Sequence, residues 1–461
     1  MNQPIPPAGI RTFDQKVAAL AAEKVRPDFV PASDYISPEF QQLEYERMWT
    51  RVWQIACREE EIPNVGDYVT YEIGTQSFIV VRTAKDTIKS YYNVCLHRGR
   101  RLTVGNGNAI RFHCNYHGWQ WSLDGSIARV LDRDDWKGCD QFDDAALKLP
   151  ETKIDTWQGF VFINMDPDAE PLAKYLDPVP KFLDPHEYGK MRFRFKATFR
   201  VPCNWKVAQE AFDEGYHIPA THPQLMPVQG DNDTRSFAHG RHGMFDYDPN
   251  RERPLGTPAK MTGKPMPTDF RPTMIEFFDL LNAQLPVLFT TRDGQAAHRL
   301  MSEVPADAPY LEVLMKTLQF QKEAAIADGA GWPDISMEQM AAAGTDWHIF
   351  PNIVTLPYPD GVIVYRSRPD GNDPDSCIYE VWGLARYAPG AEPAVTNHMF
   401  MEKDQWRGVG AVSPILLQDF DNMEQVQLGM KSYGFPGNRT TPKQEVAVSN
   451  MHRALREYLF G

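Results

Sequence analysis

Two short pairs of side chains, Cys95-Leu96-His97 and Cys114-Asn115-Tyr116-His117, are separated by the sixteen residues 98–113, and each pair offers one thiolate and one imidazole. A zinc site of two cysteines and two histidines usually takes both thiolates from one knuckle and both imidazoles from one helix. Here the ligand types alternate. Alternation suits two irons, one bound by both cysteines and the other by both histidines, because each arm then grips both metals. Imidazoles in place of two thiolates also remove negative charge and raise the reduction potential. Zinc and ordinary core packing are the competing readings, and four ligands at the spacing of both arms argue against them. Gly99 and Gly118 follow the arms, where a Cβ is expected to collide with the metals.

A second group lies further along the chain. Residues 204–222 read as a helix from about 205 to 217, on which Glu210, Glu214 and His217 sit at i, i+4 and i+7 and share a face. Pro219 disfavours continuation, so His222 approaches from a different backbone direction. Two imidazoles converging in this way form two corners of a metal site. A carboxylate as third ligand would complete the facial triad of non-haem iron oxygenases. A helix at about 414–431 supplies candidates: Asp419, Asn422 and Val426 share one face, and Asp421 lies roughly 200° around from Asp419. Only one aspartate can face inward, and Asp419 is the better choice. His348 is a further candidate for a pocket wall.

The elements that must hold these residues follow from composition and pattern. With 461 residues, 42% apolar and 24% charged, the chain can bury a sizeable core and divides into two or three domains. Its net charge of −13 argues against nucleic-acid binding, which needs a basic face. No apolar run approaches the roughly 18 residues of a membrane helix, and the first residues lack the basic and apolar regions of a secretion signal, so a cytoplasmic protein without a membrane association is expected. The six cysteines, including Cys57, Cys139, Cys203 and Cys377, are too scattered for a disulfide scaffold.

Residues 1–45 read as an arm and a helix packed on a later domain, with Ser37-Pro38-Glu39 as the helix start. Short runs rich in β-branched and aromatic residues at 68–73, 78–82, 88–94, 119–122 and 160–163 indicate an antiparallel β domain over 46–165. From 166 to 461, strand-like runs at 193–201, 353–356, 362–366 and 378–386 alternate with helices without a βαβ rhythm, which favours α+β. The stretch 226–343 is the least regular, and reads equally as surface elaboration or as a pocket wall rich in Met and Phe. No dinucleotide fingerprint is present: Gly105-Asn106-Gly107 lacks the third glycine and lies between the two ligand arms.

C-x-H, sixteen residues and C-x2-H, with Arg98-Gly99 after the first arm and Gly118-Trp119 after the second, resembles a Rieske [2Fe–2S] domain; Asn115 stands where members often have proline. Asn204-Trp205-Lys206, then Glu-Ala-Phe-x-Glu-x-Tyr-His-x4-His from Glu210 to His222, then Gln-Asp-x4-Glu from Gln418, is similar to the catalytic domain of Rieske non-haem iron oxygenase α subunits, the aromatic-ring-hydroxylating group. Ala211 departs from the asparagine common there.

The resemblance implies an antiparallel β Rieske domain followed by a helix-grip-like α+β domain. It also implies a [2Fe–2S] cluster on Cys95, His97, Cys114 and His117, and mononuclear Fe(II) on His217, His222 and Asp419. Glu214 takes the catalytic position of the acid that bridges a cluster histidine of one subunit to an iron-binding histidine of the next. The implied protein is a terminal oxygenase that takes electrons from a ferredoxin or reductase and works as a homotrimer, with or without a small β subunit. It would use O2 to hydroxylate an aromatic or polycyclic hydrophobic substrate by ring dihydroxylation, with monooxygenation or oxidative demethylation as the alternative. An electron carrier without oxygenase activity is the second alternative.

Overall fold

Apolar residues alternating along short strands build two separate units in the computed structural model, which describes residues 12–140, 142–406 and 412–461. Part of the expected arm, residues 1–11, lies outside the described residues.

The unit Trp49–Arg192 contains three small antiparallel sheets. In one, Asp67–Ile73 pairs with both Gln76–Ala84 and Asn106–Asn108, and Thr87–Tyr92 adds to the far edge. A second joins Arg111–His113, Gln120–Ser122 and Ile127–Arg129. Ile79, Val81, Tyr91, Phe112, Trp119 and Trp121 form one buried cluster that also encloses Cys95 and Cys114. Trp121 satisfies its indole by donating to the Leu147 carbonyl at 2.8 Å.

The unit runs beyond the expected boundary at 165/166. Residues 166–192 stay with it because the buried Arg58 guanidinium, paired with Glu60, also donates to the carbonyls of Tyr188 and Met191, and the Trp53 indole donates to that of Glu170. A buried arginine needs these acceptors, so the segment that supplies them cannot leave.

The other unit holds residues 12–48 together with Phe193–Gly461. Its core is an eight-stranded sheet in the order Thr234–His239, His242–Tyr247, Asp346–Ile349, Ile353–Tyr358, Gly361–Asp370, Asp373–Ala385, Arg192–Val201, His398–Phe400. The first five pairings are antiparallel, and the edge strand His398–Phe400 runs parallel to Arg192–Val201. From Arg271 on, the stretch expected to be least regular is largely helical, with Arg271–Gln284, Thr291–Ala297, Tyr310–Ala327 and Met337–Ala343 following the first hairpin. Two of its prolines start helices instead of breaking them: Pro272 lies in the first turn of Arg271–Gln284 and Pro309 is the N-cap of Tyr310–Ala327. No helix of the described residues is long and apolar enough to cross a membrane.

Asn204, Trp205 and Lys206 anchor the segment that leads to the two histidines. The Asn204 side chain caps helix Trp205–Glu210 and donates to the carbonyls of Tyr35 and Pro374, while its backbone N–H donates to Gln427 on helix Pro414–Met430. The Trp205 indole and the Lys206 ammonium both bond Glu44, and the ion pair is fully buried. Charges buried this completely are tolerated only when each is paired and hydrogen-bonded, which fixes the helix against residues 35–44. Ser37 caps helix Pro38–Leu43 as expected, by accepting the Phe40 N–H at 3.2 Å.

Candidate functional site

The two arms of the small unit fold into matching loops. Cys95 N–H bonds Arg100 O and Gly99 N–H bonds Cys95 O; Cys114 N–H bonds Trp119 O and Gly118 N–H bonds Cys114 O, all at 2.8–3.0 Å. Gly99 and Gly118 share a φ of +75°, and this left-handed backbone is what requires glycine. A Cβ at either position would meet no protein atom within 4 Å, so crowding by the protein is not the reason for them. The first arm is tied down by Asn93, whose Oδ1 accepts the N–H groups of Leu102 and Thr103.

Both thiols are buried. The two imidazoles stand edge to face with centroids 4.5 Å apart, and His97 stacks on Trp119 at 4.9 Å. Nδ1 of His97 and Nδ1 of His117 are both buried with no hydrogen-bond partner. Buried ring nitrogens are rarely left this way unless they bind a metal or an ordered water. Burial, with the charges of His117 and Arg98, lowers the pKa of His97. Burial opposes ionisation of Cys114, but the backbone N–H of Tyr116 and the Cys95 thiol outweigh it and bring Cys114 below the ordinary thiol value, while burial pushes Cys95 up. A neutral imidazole and an easily ionised thiol are the protonation states that metal ligation needs.

In the larger unit, His217, His222 and Asp419 meet, with ligand atoms all within 4.8 Å of one another. The expected helix to residue 217 is not formed. Helix Trp205–Glu210 stops at Glu210, residues 211–217 are turns, and His217 is the N-cap of a new short helix, Ile218–Thr221. Pro219 occupies the first turn of that helix, where it starts the element instead of ending one. Glu210 therefore leaves the face shared by Glu214 and His217, and bonds the Tyr35 hydroxyl and His452 Nε2.

Each imidazole is oriented through Nδ1. His217 Nδ1 lies 2.7 Å from Glu214 Oε1, and His222 Nδ1 lies 2.8 Å from Gln418 Oε1. Nε2 of each then points to Asp419 Oδ1, at 3.7 Å from His217 and 3.0 Å from His222. With Nδ1 donating, Nε2 is the lone-pair nitrogen, which is the tautomer a metal ligand uses. Burial works against a proton on His217, but Glu214, with help from Asp419, raises its pKa above the ordinary value. Asp419 Oδ2 is buried without a hydrogen-bond partner.

On helix Pro414–Met430 the buried residues include Asp419, Phe420, Met423 and Gln427; Asp421 is exposed. Asn422 and Val426 do not share the inward face expected for them: both are exposed, and Asn422 donates to Thr221 Oγ1 at 3.1 Å.

A cavity of about 470 Å³ opens onto this triad. Phe212, Phe245, Phe277, Phe278 and Phe289 line it with several leucines, in keeping with the expected pocket wall. His348 is not among the lining residues; it is fully buried, its Nε2 lies 3.2 Å from Pro351 O, and burial lowers its pKa to about 4. Sequence reasoning gave no role to Arg251 or Asp346, which line the cavity, or to Gln418, which it quoted only as part of a motif. Gln418 alone had a local signal, its place beside Asp419.

A model of the Rieske [2Fe-2S] domain matches residues 52–137, and one described as "Ring hydroxylating alpha subunit (catalytic domain)" matches residues 187–461, more than half the chain. The anthranilate 1,2-dioxygenase large subunit of Acinetobacter baylyi is 34% identical over 195 residues, 41% of each chain. The carnitine monooxygenase oxygenase subunit of Escherichia coli K12 is 34% identical over 227 residues, 46% of this chain and 56% of that one. These matches span about half the length of the relatives.

Two solved structures share the fold. The quaternary ammonium Rieske monooxygenase CntA in complex with L-carnitine has a TM-score of 0.62 at 18% identity, covering 94% of this chain and 97% of that one. Naphthalene 1,2-dioxygenase from Rhodococcus sp. bound to indole has a TM-score of 0.60 at 19% identity, covering 97% of each. The two matched domains imply a [2Fe–2S] cluster and a mononuclear iron, and the unpartnered Nδ1 atoms of His97 and His117 and the unpartnered Asp419 Oδ2 fit both. The chain belongs to the family of ring-hydroxylating oxygenase α subunits, with a Rieske domain ahead of the catalytic domain.

Proposed function

We propose that the chain is the terminal oxygenase of a multicomponent system and that it inserts one oxygen atom of O2 into a small organic substrate held in the cavity beside His217, His222 and Asp419. The observation that carries this reading is the triad itself, with both Nε2 atoms turned to one carboxylate at the mouth of an apolar cavity. Cys95 and Cys114 would hold one iron of the cluster and Nδ1 of His97 and His117 the other, while the triad would hold the single iron. When bound, the cluster supplies electrons one at a time and the single iron supplies a place to activate O2.

The residues around the triad do the positioning. Glu214 and Gln418 fix the two rings, and the phenylalanine wall excludes water and places the substrate by shape. A ferredoxin or reductase delivers the electrons. The copies assemble as a homotrimer in which Glu214, bonded to His217, lies next to a cluster histidine of another subunit, as the family resemblance implies.

Monooxygenation replaces ring dihydroxylation as the favoured outcome. Several relatives, such as the carnitine monooxygenase of Escherichia coli and the glycine betaine monooxygenase of Pseudomonas aeruginosa, are monooxygenases, against the anthranilate 1,2-dioxygenase of Acinetobacter baylyi. Turnover with isotopically labelled O2 tests this. One labelled oxygen in the product and one in water supports monooxygenation; two in a ring diol restores dihydroxylation; electron transfer without any O2 uptake leaves only a carrier.

A further inference from the structure

Arg251 lies in the loop after strand His242–Tyr247 and lines the cavity. Its guanidinium stacks on the Tyr247 ring at 4.2 Å, and Nη1 is buried with no hydrogen-bond partner. The nearest carboxylates are engaged elsewhere. Asp246 accepts the Thr345 hydroxyl, Asp231 accepts the Lys260 N–H, and Asp248 accepts the Asn250 N–H and pairs with Arg235.

The carboxylates on the wall form no bond with it. Glu214 is bonded to His217, and Asp419 faces both imidazoles. Asp346 is buried with Oδ1 unpartnered, and burial, with Asp213 nearby, pushes its carboxyl well above the usual carboxylate range. Asp246 and Asp231 lie near enough to act on its charge, but neither bonds it. A buried guanidinium nitrogen with no hydrogen-bond partner is costly, and the planar fork matches a carboxylate held by two parallel hydrogen bonds.

We propose that Arg251 is the substrate anchor and that the cavity takes an organic monocarboxylate, held by its charged end at Arg251 with its apolar body against the phenylalanine wall. A purely cationic substrate would leave Arg251 unanswered. The proposal rests on the oxygenase reading, since it names the substrate class of that same site.

Calorimetric titration of the iron-loaded protein tests it with matched probes: benzoate against benzamide, cyclohexanecarboxylate against cyclohexanecarboxamide, and carnitine against choline. At least one acid is expected to bind, and to bind at least about tenfold more tightly than its uncharged or cationic counterpart. Arg251→Gln should erase that preference, and Arg251→Lys should keep part of it. The comparison within the unmodified protein needs no variant to fold. Equal binding of acid and counterpart, binding of choline but of no acid, a preference that survives Arg251→Gln, or no binding by any acid would each overturn the assignment. Iron content and O2 uptake on the same preparation separate the two readings. Protein without iron or O2 uptake would refute the oxygenase reading, while the titrations still decide on Arg251.

Discussion

His222 Nδ1 lies 2.8 Å from Gln418 Oε1, so the residue directly before Asp419 orients the ring that Asp419 faces. Gln224 donates to the same oxygen at 2.7 Å and holds the amide in place. Gln418→Leu removes the acceptor and leaves the ring free to turn. We expect mononuclear iron affinity to fall about 10–100-fold with the cluster absorption unchanged, and Gln418→Glu, which keeps an acceptor, to retain the iron. Metal analysis beside visible spectra checks this; unaltered iron in Gln418→Leu would show that the contact is incidental.

Glu214 plays the equivalent part for His217, but with a charge. Glu214→Gln keeps an acceptor and loses the negative charge that raises the basicity of the ring. Once loaded to full iron content, the variant is expected to turn over at least about tenfold more slowly, with both metals present. Turnover equal to the unmodified protein would remove Glu214 from any role beyond packing.

The two aspartates of helix Pro414–Met430 differ in burial. Asp419 is 3% exposed, whereas Asp421 points outward. Asp419→Asn should lose most of the mononuclear iron and Asp421→Asn should keep it, as read by iron content per chain. The reverse order would mean that the wrong carboxylate has been assigned.

His452 is fully buried between Asp34, at 2.9 Å from Nδ1, and Glu210, at 2.6 Å from Nε2. Burial disfavours its proton, but the two carboxylates outweigh burial and raise its pKa above 6.5. The folded state therefore binds this proton more tightly than the unfolded chain. Its stabilisation is complete below about pH 6.5 and is lost as pH rises through the raised value. His452→Gln is expected to cost about 3–5 kcal/mol at low pH and to flatten the loss of stability above neutrality. Denaturant titrations across that range measure both; parallel curves for the two proteins would show that His452 is neutral in the fold.

The cluster arms were legible in the sequence because their ligands are local. Cys95, His97, Cys114 and His117 sit in two loops whose spacing is visible without knowing the fold. His217, His222 and Asp419 gave a weaker signal, a histidine pair five apart and one of two aspartates on a later helix, which the resemblance joined into one set, since the carboxylate comes from a helix nearly two hundred residues away. The i, i+4, i+7 spacing of Glu210, Glu214 and His217 suggested one helix, but Glu210 is taken by Tyr35 and His452 and the chain turns before Gly215. Asp166-Pro167 is a turn, as its residue types indicate, yet Arg58 holds the chain to the same unit as far as Arg192. Arg251 carried no signal, because arginines are ordinarily solvent-facing and only its burial against Tyr247 sets it apart.

Iron and acid-labile sulfide per purified chain, determined after anaerobic reconstitution, test the central claim most directly. About three irons and two sulfides are expected, falling to about two irons with the sulfide unchanged in His217→Ala. Zinc in place of iron, or two irons in the unmodified protein with none lost in His217→Ala, would contradict it.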